Sequence, residues 1–239
     1  MARKDGKAEN QHYVPKMLLR NFAFATKGKE EQVYVFDKHN EGDFPTAISN
    51  IAAERGFYEA DFGDGLVSLE TSLSVLEDKT RAAFAKLIEH EDLNALSDED
   101  RAWIAIFVAS QRIRVRHFRE TVKAMNEQLL EKLRRMGHDP VEVEGVPVLT
   151  DDEELKRFAI QFLVESMKEF SQHLTTKAWL LMRTTPERPF WISDSPVTMH
   201  NSKDFGPYGN IGLAVRGIQI HLPLSSTLTL ALWCPFLVE

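Results

Sequence analysis

The sequence predicts an α+β fold, with three long packed helices in the middle of the chain, a small N-terminal sheet and a C-terminal, mainly antiparallel sheet. Three observations carry this reading. β-Branched and aromatic runs precede residue 60, apolar residues recur at spacings of three and four from about 68 to 176, and short apolar runs between Pro and Gly turns follow to 239. Strands, then helices, then strands place the helices against sheet at one end or face. The chain divides into a disordered lead over residues 1–10 and a single domain over 11–239.

Taken in order, Pro15 suits the first position of a short helix reaching about Phe24, since proline loses no hydrogen bond there. Val33-Tyr34-Val35-Phe36 reads as a strand, with weaker strand signals at Phe44 to Ile48 and Phe57-Tyr58-Glu59. Ser68 precedes the stripe Leu69, Leu73, Leu76, Ala83, Leu87 and Ile88. Ser97-Asp98-Glu99-Asp100 is an N-cap with acidic first-turn residues. From it the stripe Ile104, Val108, Gln111, Val115, Phe118, Val122, Met125 and Leu129 predicts one helix continuing to Met136, ended by Gly137. Thr150-Asp151-Asp152-Glu153 starts a third, with Leu155, Phe158, Phe162, Met167, Phe170 and Leu174 on its apolar face. Ala178 to Met182, Phe190-Trp191-Ile192, Ile218 to Leu222 and Thr227 to Trp233 read as strands. A last strand this close to Glu239 leads us to expect further chain beyond it or pairing elsewhere.

The totals bound the function. With 239 residues, 43% apolar and 27% charged, the chain has ample material for a core. A net charge of −7 excludes general attraction to nucleic acid or anionic membrane, so such contact needs a local basic patch. Cys234 is the single cysteine, which rules out an intrachain disulfide and a cysteine-based zinc site. The charged start has no apolar run behind it, and the longest apolar run, Leu228 to Val238, is interrupted by Pro235. A cytoplasmic protein without membrane contact is the expectation.

Several residues have side chains able to do chemistry. Gln111 sits in an apolar stripe, where an unpaired buried amide costs about 1–3 kcal/mol, so it is either a satisfied core amide or the centre of a polar site. On a continuous helix Arg112, Arg116, Arg119 and Lys123 form one basic line, able to hold phosphates or to pair with neighbouring acids. Arg112 and His117 share the Arg-x4-His spacing that resembles the helical HEPN-type ribonucleases, although Ile113 stands where those proteins commonly carry a polar residue. Glu70, Glu77 and Arg81 border the preceding stripe and suit ion pairs with the next helix. Asp194, before Ser195-Pro196, either folds back on its own backbone as a turn or faces a cleft as base or metal ligand. The histidines have no metal-ligand spacing, so no metal site is assigned, and no cofactor or oligomeric state follows. The glycine-rich loop at 206–212 lacks a following helix and is no phosphate loop.

Gln11-His12-Tyr13-Val14-Pro15 with Leu19-Arg20-Asn21-Phe22, then Gln111-Arg112, then Phe190 to Pro196 and Pro223-Leu224, resembles a bacterial family, the domain of unknown function numbered forty-two thirty-eight. The likeness runs from Gln11 to Leu224 and implies one polar cluster drawn from Gln11, His12, Arg20, Gln111, Arg112 and Asp194, without implying an activity. The corresponding expectation is a hydrolase- or nuclease-like site for a phosphate-bearing substrate, RNA or a nucleotide. In it His12 is acid or base, Asp194 orients His12 or a metal, Arg112 holds the phosphate, Gln111 positions the cluster, and Gln11, Arg20 and Arg116 line the cleft. The alternative is a binding or regulatory module in which Gln11 and His12 serve the adjacent helix start and the polar cluster is structural.

Overall fold

The computed structural model describes residues 10–206, 209 and 211–238. The expected disordered lead lies outside these residues except for Asn10, and so do positions 207, 208 and 210 of the glycine-rich loop.

The N-terminal part builds three small antiparallel sheets where one was expected. β1 (Asn10–His12) pairs with β5 (Ala53–Arg55). β2 (Ala25–Lys27), β3 (Glu30–Asp37) and β4 (Gly42–Ala47) form a three-stranded meander. β6 (Glu59–Asp61) pairs with β7 (Leu66–Ser68). After β1 comes α1 (Lys16–Leu19), a single turn continued as a 3-10 turn over Arg20–Phe22. Pro15 is its N-cap, and no side chain caps it. The expected service of Gln11 and His12 at this helix start is therefore not observed.

Four long helices follow, one more than expected: α2 (Glu70–His90), α3 (Asp98–Ile113), α4 (Arg116–Arg135) and α5 (Asp152–Thr175). Capping boxes start two of them, Ser97 with Asp100 and Asp151 with Glu154. The extra helix arises because the expected run from Asp98 to Met136 breaks at Arg114 and Val115. Arg114 has φ −79° and ψ 40°, and the Val115 N–H donates to the Ile113 carbonyl at 2.9 Å, an inverse γ-turn. Ile113, Arg114 and Val115 are all buried, so the break lies inside the core. Phe118 and Val122 keep partly buried places on the expected stripe, but beyond them the apolar face advances by one position. Asn126 and Leu130 are the buried residues of α4, while Met125 and Leu129, expected in the stripe, are 65% and 40% exposed.

α3 is buried on nearly every side and lies between α2 and α5, meeting α2 through Phe84 against Phe107 at 5.2 Å. α4 rests on α5 through Phe118 and Phe162, 5.4 Å apart. The C-terminal sheet runs in the order β8 (Ala178–Arg183), β11 (Leu228–Trp233), β10 (Gln219–Pro223), β9 (Thr198–His200), antiparallel throughout. Ile220, Leu222, Leu230 and Leu232 supply its inner face. The expected strand at Phe190-Trp191-Ile192 is extended loop instead. Pro189 has no N–H, Phe190 donates one bond to the Ser226 carbonyl, and Trp191 is left 72% exposed. One hydrophobic cluster draws on residues from Tyr13 to Cys234. Among the described residues no helix is long and apolar enough to cross a membrane.

Candidate functional site

The helix break is where the polar groups converge. Gln111, fully buried in the last turn of α3, donates from Nε2 to the Tyr13 carbonyl at 2.8 Å and accepts from Arg114 Nε at 2.8 Å. Arg114, also buried, reaches Glu77 of α2 through Nη1 at 2.9 Å. The γ-turn thus folds Arg114 back under α3, and Glu77 takes the partner role expected of that helix border.

Gln11 alternates with His12 across β1 and points inward. Its Nε2 donates to Glu59 at 3.0 Å, and its oxygen accepts the Tyr58 N–H at 2.6 Å. The Tyr58 hydroxyl lies 3.2 Å from the His12 carbonyl and 3.4 Å from the Arg114 carbonyl, so it ties β1 to the break. Burial pushes this phenol far above its ordinary pKa, so it remains a neutral donor. Gln11 and Gln111 therefore both spend their amides on internal partners.

His12 faces the other way. Its Nε2 lies 3.2 Å from the Ile48 carbonyl. Its pKa is lowered, chiefly by burial and further by Lys16, against the raising effect of Ile48. Among the described residues no hydrogen bond or ion pair joins His12 to Asp194, Arg112 or Arg116. Arg20 is exposed and pairs with Glu31 at 2.8 Å.

Beside the break two arginines pack against buried aromatic rings. Tyr13 packs on Phe57 at 5.2 Å, Arg119 lies over Phe57 at 3.8 Å, and Arg116 stands 6.0 Å from the Tyr13 ring. Glu54 bridges Arg116 at 3.2 Å and Arg119 at 3.1 Å. The Tyr13 hydroxyl titrates above its usual value, first through burial and then through Asp194, Glu54 and Glu120, while Arg116 opposes the shift. The Asp194 loop is thereby electrostatically coupled to the N-terminal motif. Its turn is made by Ser193, whose Oγ accepts the Ser195 N–H at 3.1 Å. The Asp194 side chain, expected either in that turn or facing a cleft, is exposed and makes no hydrogen bond among the described residues.

Arg112 stands apart. It is half-buried, its Nε donates to the Met199 sulfur at 3.4 Å, and it has no carboxylate partner among the described residues. Burial alone lowers its pKa, still leaving a cation. The expected basic line is split by the break, with Arg112 against β9 and Arg116 and Arg119 on Glu54. His117 lies on α4 beyond the break, so the Arg-x4-His pair does not share one helix.

A family model described as "Protein of unknown function (DUF4238)" matches residues 10–239. The chain belongs to that family. No curated protein and no solved structure matches it. In this DUF4238 chain the described residues contain no group of three His, Cys, Asp or Glu placed to hold a metal ion. Tyr58, Arg114 and Met199 were not legible as participants from the DUF4238 sequence. The one available signal was Arg114, a charge between Ile113 and Val115 on a segment whose stripe was apolar.

Proposed function

We propose that this domain is a binding module that takes a phosphate-bearing ligand, a nucleotide or RNA, at Arg112, with the rest of the polar cluster holding the fold. The supporting observation is the state of Arg112. Arg20, Arg114, Arg116 and Arg119 each hold a carboxylate, whereas Arg112 is partly desolvated against a thioether. A partly buried cation without an anion is costly, and an external anion restores the balance. The start of α4 adds to this, because Val115 gives no side-chain cap and no acid stands in the first turn, leaving the positive end of the helix four residues from Arg112. The catalytic reading, with His12 as acid or base oriented by Asp194, has weaker support, because the His12 ring is engaged with Ile48.

The test is calorimetric titration with pyrophosphate, AMP and a short single-stranded RNA. The parent should bind at least one of them, and more weakly as salt rises from about 50 to about 200 mM. Arg112→Met should weaken that binding at least ~10-fold. Arg20→Ala, at an exposed and separately paired site, should leave it unchanged. Equal binding by Arg112→Met, or no binding of any of the three by the parent, refutes the proposal.

A further inference from the structure

A cleft of about 750 Å³ lies at the end of α3 opposite Arg112, beside the edge strand β8. Arg101, which lines it, precedes Arg112 by eleven positions, about 17 Å along the helix axis. The volume falls within the roughly 300–1,000 Å³ of small-molecule sites. Its apolar surface includes Trp179 and Leu181 of β8 and Leu93 of the loop between α2 and α3.

The charges around it are unevenly satisfied. Glu91 is held by Arg183 at 2.8 Å, and the Asp92 carboxylate accepts the Asn94 N–H at 2.9 Å. Asp98 lies in the first turn of α3, where the helix end favours a carboxylate. The cations lack such partners. Lys177 is half-buried without an ion pair among the described residues. Arg101 gives one N–H to the Leu93 carbonyl at 2.9 Å, lies 5.4 Å from the Trp179 ring centre, and has no carboxylate partner among the described residues. Burial pulls the Lys177 ammonium below its ordinary pKa, against a raising effect of Cys234.

We infer that this cleft binds a small organic anion, its carboxylate or phosphate group held by Lys177 and Arg101 and its flat or apolar body lying against Trp179 and Leu181. The inference is independent of the ligand proposed for Arg112. Its basis is a cavity of ligand size, an aromatic wall, and two cations that the local acids leave unmatched.

The probes are benzoate and phenyl phosphate, which share the flat body and differ in the anionic group. The reporter is the NMR signal of the Trp179 indole N–H, which donates to the Leu174 carbonyl at 3.1 Å beside the cleft. At least one probe should shift this signal saturably. Benzoate alone would mark a carboxylate ligand, phenyl phosphate alone a phosphate ligand. Lys177→Gln should weaken the effect at least ~10-fold. Lys177→Arg should restore most of it, and Arg112→Met should leave it intact. No saturable shift from either probe at tens of millimolar, or an unchanged affinity in Lys177→Gln, overturns the inference.

Discussion

Replacing Gln111 with leucine tests whether this residue is a structural latch. Gln111 has no exposed surface, and its two bonds go to the Tyr13 carbonyl and to Arg114 Nε, both at 2.8 Å. Leucine fills nearly the same volume but leaves both partners buried and unpaired. A buried orphaned group costs about 1–3 kcal/mol, with charged groups at the upper end. Arg114 already has one buried nitrogen, Nη2, without a partner, so it has little capacity to compensate. Two orphans less the gain from burying an apolar side chain give a loss of about 2–5 kcal/mol. Urea unfolding at neutral pH reads this as a lower midpoint with an unchanged slope. In an Arg114→Met background the same change should cost about 1–3 kcal/mol less, because one of the two orphans no longer exists. A loss below ~1 kcal/mol in the parent background, or strict additivity in the double variant, would refute the latch.

Three further outcomes follow from the same geometry. Arg112→Met should be as stable as the parent or more so by urea midpoint, since it removes a partly desolvated cation from beside a thioether; a clear loss would mean that Arg112 has a structural role. The His12 pKa is lowered in the folded state, so between that value and the ordinary 6.5 the unfolded chain binds the proton that the folded chain resists. Stability should therefore be full above the ordinary value and fall as pH drops through it, and His12→Gln should flatten this slope just below the ordinary value. His221, also lowered by burial and by His200, acts in the same window, so His12→Gln/His221→Gln should be flatter still. If Asp194 instead paired with His12, the slope would have the opposite sign. Asn126→Ala removes bonds to the Pro147 carbonyl at 2.6 Å and the Leu149 N–H at 3.1 Å, and should cost about 1–3 kcal/mol. Limited proteolysis should then cut the connector at 137–151 faster than in the parent.

The parts of this protein legible in its sequence are those decided by a few neighbouring residues. Ser97 with Asp100 and Asp151 with Glu154 start their helices because a side-chain oxygen and a nearby backbone N–H need only three positions to meet. A β-branched and aromatic run and short apolar runs between turns gave β3, β10 and β11 within a residue or a few of their observed ends. Arg112 was legible as an anion-binding candidate because an arginine keeps its charge wherever it is placed. The tertiary structure decided the break at Arg114 and Val115, the one-position shift that buries Asn126 and exposes Met125, and the loop at Phe190. It also decided that Gln11 is tied to Glu59 and Tyr58 and Gln111 to Tyr13 and Arg114, while Asp194 is left exposed. These depend on partners remote in the chain: Gln111 bonds a carbonyl 98 residues away, Gln11 meets Glu59 48 residues away, and Arg114 meets Glu77 37 residues away. A buried donor must find an acceptor wherever the fold brings one, and local pattern has no term for that distance.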